Sequence, residues 1–171
     1  SGHALHRMEL GGYATAVEVM LGRNGSHKPL GIIDAVAIDV ASGWVQQQQY
    51  SADYGLITLP QPVGNTLGWM ATASISQPED YLQTAMYSLG YPGDKGGALQ
   101  FQTSGSSTSY ADGIYYFSSD LDALAGQSGS PLILSHSDYG ELAIGLVSHE
   151  NVSPEANGVL VFSPTITSQF T

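Results

Sequence analysis

Apolar residues in this chain come in short runs, each closed off within a few positions by Gly, Pro, Asn, Ser or Asp. Runs of that length are too short for a packed helix and the right length for strands, so the punctuation alone points to an all-β chain with frequent turns. The candidate strands are Ala14–Met20, Ala35–Val40, Gly55–Leu59, Thr84–Leu89, Gln100–Ser104, Ile114–Phe117, Leu132–Leu134, Ala143–Val147 and Gly158–Phe162, set apart by many of the 21 glycines and 8 prolines. Helix signals are sparse, and one short helix is expected at Ser163-Pro164-Thr165, where proline suits a first turn. A chain of 171 residues can bury one substantial core or two small packed barrels.

Composition narrows the partners. With only four Lys and Arg and a net charge of −11, the chain is poorly suited to a phosphate backbone, so no nucleic-acid partner is expected. No apolar run is long enough to cross a bilayer, and the first residues do not read as a signal peptide, so no membrane partner is expected. There is no cysteine, so any extracellular life is led without disulfides, and no Cys/His spacing suggests a structural zinc. Neither metal nor other cofactor is expected. Asn24-Gly25-Ser26 and Asn151-Val152-Ser153 are candidate glycan acceptors.

The segment Gly126-Gln127-Ser128-Gly129-Ser130-Pro131 holds a serine between glycines ahead of an apolar run. Such a turn lets the backbone approach a substrate closely and leaves the amides of Gly126 and Ser128 able to point at one oxygen. It is equally the composition of a plain turn between strands. A nucleophilic serine needs a base and an acid that orients it. Asp53, at the mouth of Gly55–Leu59, is the acid candidate, and His3, His6, His27, His136 and His149 are the available bases; periodicity does not choose among them.

Taken together, these segments resemble the chymotrypsin-fold serine proteases, in particular the glutamyl-endopeptidase branch. Gly126 to Pro131, preceded by Asp120-Leu121-Asp122-Ala123-Leu124-Ala125, is similar to the nucleophile segment, and Asp53 to Leu59 to the segment of the triad aspartate. Leu89-Gly90-Tyr91-Pro92-Gly93 resembles the family's Gly-Tyr-Pro-Gly turn, Gly145-Leu146-Val147-Ser148 the strand lining the substrate groove, and Ser1-Gly2-His3 the segment of the triad histidine. The resemblance implies two packed six-stranded antiparallel barrels, residues 1–75 forming part of the first and 76–171 the second. It implies His3 as general base, Asp53 as its partner, Ser128 as nucleophile, Gly126 and Ser128 as the oxyanion amides, and a secreted endopeptidase acting on protein or peptide. His6 then becomes a surface or loop residue and the rival base.

Departures from the family pattern carry expectations of their own. Strands of the first barrel that the family places ahead of its histidine have no counterpart before His3, so an N-terminal segment of the same precursor, held noncovalently, is the expected partner. Gln127 stands where trypsin relatives carry the acid that pairs with a new N-terminus, and a neutral amide forms no such ion pair. The substrate-binding positions are Asp122, Ala123, Val147, Ser148 and His149, with Glu150 beside them. Ala123 and Val147 offer no side-chain donor to a glutamate carboxylate, while Asp122 would suit a basic side chain, so acidic, basic and small preferences stay open. The reading from another class is a catalytically inactive barrel that binds a partner.

Overall fold

The computed structural model of the chain describes residues 1–117, 121, 125–152 and 155–169, the side chains at 151, 152 and 155 excepted. Its strands are β1 (His6–Arg7), β2 (Gly12–Tyr13), β3 (Glu18–Val19), β4 (Ile33–Asp34), β5 (Ala37–Val40), β6 (Gly55–Thr58), β7 (Ala71–Thr72), β8 (Ala85–Gly90), β9 (Phe101–Ala111), β10 (Ile114–Phe117), β11 (Pro131–His136), β12 (Gly140–Val152) and β13 (Glu155–Val161). Strands β11, β8, β9, β10, β13 and β12 follow one another around an antiparallel ring that closes where β11 pairs with β12. β7 is added to β12 in parallel at Leu142 and Ala143. The earlier strands pair only two by two, β1 with β2, β3 with β4 and β5 with β6. The chain is therefore all-β, with a closed six-stranded barrel in its second half and an unclosed first half.

Side-chain alternation shows how the barrel is filled. Tyr115 and Phe117 of β10 and Val159 and Val161 of β13 point inward with Met86, Leu132 and Ile144, while Ile114 and Leu160 point outward. The outward residues are not wasted on solvent. They join Tyr54, Leu146, Phe162 and Ile166 in a second buried cluster, which clamps the start of β6 to the barrel wall. At the rough value of 25 cal/mol per Å² of apolar surface removed from water, each such side chain stabilises the contact by about 1.5–3 kcal/mol.

Eight of the nine expected strands appear, with differences that have physical causes, whereas Ala14–Met20 is a strand only at Glu18–Val19. β9 and β12 run to 11 and 13 residues, well past the apolar stretches that announce them. The Ser/Thr-rich length of β9 carries no hydrophobic alternation, yet β8 and β10 on either side satisfy its backbone, and pairing replaces propensity as its support. The helix at α3 (Pro164–Thr167) is present, its first turn capped by Ser163 Oγ accepting from the Ile166 amide. Two others were not foreseen: α1 (Ser42–Gln47), which buries Trp44, and α2 (Gly64–Leu67). No described helix is long and apolar enough to cross a membrane.

One buried polar contact tests the packing. Tyr115 is fully buried and its hydroxyl donates to the Pro78 carbonyl at 2.6 Å. Tyr115→Phe leaves that carbonyl without its donor and is expected to lower unfolding free energy by about 1–3 kcal/mol, read from urea denaturation with the slope unchanged.

Candidate active site

Asp53 is the point from which the site is built. A 3₁₀ turn over Tyr50–Ala52 delivers it just ahead of β6, and its neighbour Tyr54 is anchored in the cluster on the barrel wall. Asp53 has no exposed surface. A carboxylate in that position must be satisfied by donors, and it is. The His3 amide donates to Oδ1 at 2.7 Å, His3 Nδ1 lies 2.8 Å from Oδ2, and Ser148 Oγ donates to Oδ2 at 2.5 Å. With the carboxylate as acceptor, the proton sits on Nδ1, which leaves Nε2 of His3 as a base.

Residue size explains how His3 reaches it. Gly2 opens the 3₁₀ turn Gly2–Ala4, and a Cβ there would lie 3.1 Å from both the amide nitrogen and the carbonyl oxygen of Tyr54. The missing side chain lets the turn settle closely on the Asp53–Tyr54 backbone, where a Cβ would need its neighbours to give by a few tenths of an ångström. Trp44 packs over the same corner, its ring 6.0 Å from the His3 ring and its Nε1 donating to the His6 carbonyl. His6 itself corrects an expectation: it is not at the surface but buried, its ring edge-on to Tyr13, and no contact joins it to Asp53. Of the two residues of β1, His6 faces inward and Arg7 outward.

Ser128 lies in a loop fastened on two sides. Gly126 and Gly129 have φ of 97° and 86°, a region that other residues enter only with strain. The Gly129 amide donates to the Val147 carbonyl and the Val147 amide to the Ser130 carbonyl, both at 2.8 Å, which ties the loop to β12 one residue before Ser148. Behind it the Gly90–Gly93 turn closes in: the Gly93 amide donates to the Ala125 carbonyl at 2.7 Å, and a Cβ on Gly126 would meet Gly93 N and Tyr91 O at 3.0 Å. Among the described residues the amides of Gly126 and Ser128 have no backbone acceptor. A Cβ on Gly129 would come within 2.7 Å of Ser1 N, so the start of the His3 turn rests on the serine loop.

His3, Ser128, Val147, Ser148 and His149 line one cleft of about 380 Å³. β11 leaves β12 after Leu146, so the β12 edge from Ser148 to Glu150 faces the cleft without a strand partner among the described residues. Val147 belongs to the barrel core and offers the cleft an apolar wall. Asp122 and Ala123 lie outside the described residues, as does the side chain of Asn151; Asn24 is exposed in a tight turn against His27. His27 and His136 are not among the residues lining the cleft. The cleft also holds residues the sequence did not single out: Trp44, Tyr50, and Arg7, whose Nε donates to the His3 carbonyl at 2.9 Å. Arg7 carries one of only four Lys/Arg charges, the one trait that could have marked it. Among the described residues no three His, Asp or Glu side chains are grouped to hold a metal ion.

No protein-family model matches the chain. Its fold, however, is that of known proteases. A glutamyl endopeptidase structure superposes over 99% of this chain and 76% of its own with a TM-score of 0.85 at 23% identity. The protease Anisep of Arthrobacter nicotinovorans does so over 99% of this chain and 78% of its own, with a TM-score of 0.79 at 18% identity. In sequence, the chain is 33% identical over 132 residues to the glutamyl endopeptidase of Bacillus licheniformis, covering 77% of this chain and 40% of that one. It is 31% identical over 150 residues to a Bacillus subtilis protein described as an extracellular metalloprotease, covering 85% of this chain and 45% of that one. The chain thus spans less than half the length of the curated relatives it matches. These likenesses give it the fold of the chymotrypsin-fold serine proteases. Within that class its sequence is similar to a glutamyl endopeptidase.

The hydrogen bond from Ser148 to a fully buried carboxylate carries a measurable consequence. Ser148→Ala is expected to destabilise the fold by about 1–3 kcal/mol in urea, whereas Ser104→Ala, at an exposed position, should stay within about 0.5 kcal/mol.

Proposed function

We propose that the protein is a secreted serine endopeptidase that cleaves peptide bonds through Ser128, His3 and Asp53. The observation that carries this reading is the buried Asp53 carboxylate gripping, at both its amide and Nδ1, a His3 that lines the same cleft as Ser128. Substrate lies extended along the open edge of β12 and adds a strand there. Ser128 Oγ attacks the carbonyl carbon while His3 Nε2 takes its proton, and the imidazolium that forms is stabilised by Asp53. The amides of Gly126 and Ser128 receive the oxyanion. His3 then protonates the leaving amine, an acyl-enzyme remains on Ser128, and water admitted by the same base releases the acid.

Two finer points belong to the same reading. Residues 1–75 form an incomplete first barrel and 76–171 a complete second one. Met8, Leu10, Tyr13, Leu30, Ile32 and Val36 expose large apolar surface in the first part, a load suited to cover by an N-terminal segment of the same precursor held without disulfides. Secretion is supported by the extracellular description of one relative. The inactive binding-module reading has no observation of its own in its favour.

A fluorophosphonate probe tests the chemistry directly. Labelling of the wild type that disappears in Ser128→Ala is expected; absence of labelling in folded wild-type protein would sink the catalytic reading. Asp53→Asn should cut turnover by about 10⁴-fold. Specificity is read from a peptide library: cutting dominated by Glu assigns the acidic preference of the named relative to this chain, cutting after Arg or Lys assigns a role to Asp122, and cutting after small residues fits the apolar wall at Val147.

A further inference from the structure

Three separate features of the fold serve the imidazole of His149. Opposite β13, Val147 pairs with Val159 and His149 with Gly158, so Ser148 is an extra residue in a bulge. The bulge interrupts the alternation of sides along β12 and lets these two neighbours meet, His149 Nδ1 lying 3.2 Å from Ser148 Oγ. Tyr50 stacks on the imidazole with centroids 3.8 Å apart and planes 22° from parallel, and Tyr116 meets it edge-on at 6.3 Å. Gly158 makes the space: any Cβ there would overlap the ring of His149, and its φ is not in the left-handed region, so what it contributes is the missing side chain.

The hydrogen bonds then run in one direction. Ser148 commits its proton to Asp53 Oδ2, so its oxygen can only accept from His149, whose proton must sit on Nδ1. We propose that His149 is a positioning residue of this site, its Nδ1–H fixing the Ser148 hydroxyl and through it the face of Asp53 turned to His3, and that gain of a second proton by His149 switches the site down at acid pH. The proposal rests on the reading of Ser128, His3 and Asp53 as the hydrolytic centre.

The charged and titratable groups around the ring are Asp53 and His3 across the hydrogen bonds, Tyr50 and Tyr116 on its faces, and Glu150 next along β12. Burial holds His149 below its ordinary value of 6.5; the Asp53 charge works against that shift and charge on His3 adds to it. The neutral form is therefore the native one, and the stability it contributes is complete above 6.5 and lost as pH falls through the lower folded value. Once charged, His149 opposes the imidazolium that His3 becomes during turnover.

Two variants in the full-length protein test this. His149→Phe keeps the stack and removes the donor; His149→Asn restores a donor that does not titrate. In Phe, kcat should fall about 3–10-fold, the worth of one hydrogen bond, with KM unchanged, and Asn should recover most of it. The acid limb of log kcat/KM should steepen toward a slope of about two in the wild type and stay near one in Asn. A rise in KM with kcat intact would overturn the proposal by making His149 a reader of substrate, and equal behaviour of Phe and Asn would reduce it to packing. The low-field proton resonance of His3 Nδ1–H needs no turnover. It should move in His149→Phe and persist in Ser128→Ala. If the wild type neither hydrolyses nor labels, the catalytic reading fails, while an unmoved resonance in Phe overturns the coupling by itself.

Discussion

A carboxylate with no exposed surface sits where three distant stretches of chain meet, and the rest of the structure is arranged around keeping it satisfied. Removing a carboxylate from water costs several kcal/mol even after relaxation. Asp53 offsets this with the amide and ring of His3 and the hydroxyl of Ser148. None of these donors is local. Gly2 lets the His3 turn lie close against Tyr54, Tyr54 is clamped to the barrel wall beside the acid, and β12 bulges at Ser148. Oδ1 depends on the His3 amide alone among these donors, while Oδ2 shares the His3 ring and Ser148, so loss of a donor removes part of the compensation for a carboxylate that water does not reach.

The site joins two unequal supports. The serine loop and the open β12 edge come from a closed barrel with a buried core, whereas Asp53 and His3 come from a half built of short paired strands with much apolar surface exposed. The apolar contact between the two is the cluster of Tyr54, Ile114, Leu146, Leu160, Phe162 and Ile166, which adds to the bond between Asp53 and Ser148. That cluster fixes the distance between acid and barrel. Trp44 then fixes the corner above, through its bond to the His6 carbonyl. Geometry at Ser128 is thus a property of the interface between halves more than of either half.

Much of this was legible in the residues. Apolar runs closed by Gly and Pro announced the strands, and glycine-flanked Ser128 announced a tight loop, because both signals are local. The polar reach of β9 was not legible, since its support lies in its neighbours, nor was α1, whose Trp44 is bought into place by a carbonyl far away in sequence. His6 was misjudged for the same reason: nothing within β1 says which way it will face. His149 was visible as a groove residue but not as a partner of Ser148. Its seat depends on a register shift and on Gly158 and Tyr50, three facts that exist only once the chain has paired.

The polar interior at this site also bears on whether the cleft does chemistry. A barrel selected only to bind could fill the same corner with apolar side chains, and replacing buried ionic groups in that way is often neutral or stabilising. Here the chain keeps a buried acid, an imidazole with one nitrogen committed to it, a second imidazole seated by a bulge and a bare glycine, and two glycines of left-handed φ around a serine. A simpler packing would need neither the buried carboxylate nor the left-handed glycines, and buried ionisable groups and constrained backbone of this kind cluster at functional sites. The oriented Nε2 of His3 is the atom on which that argument converges, because the donors around Asp53 leave it as the one ring position still able to take a proton.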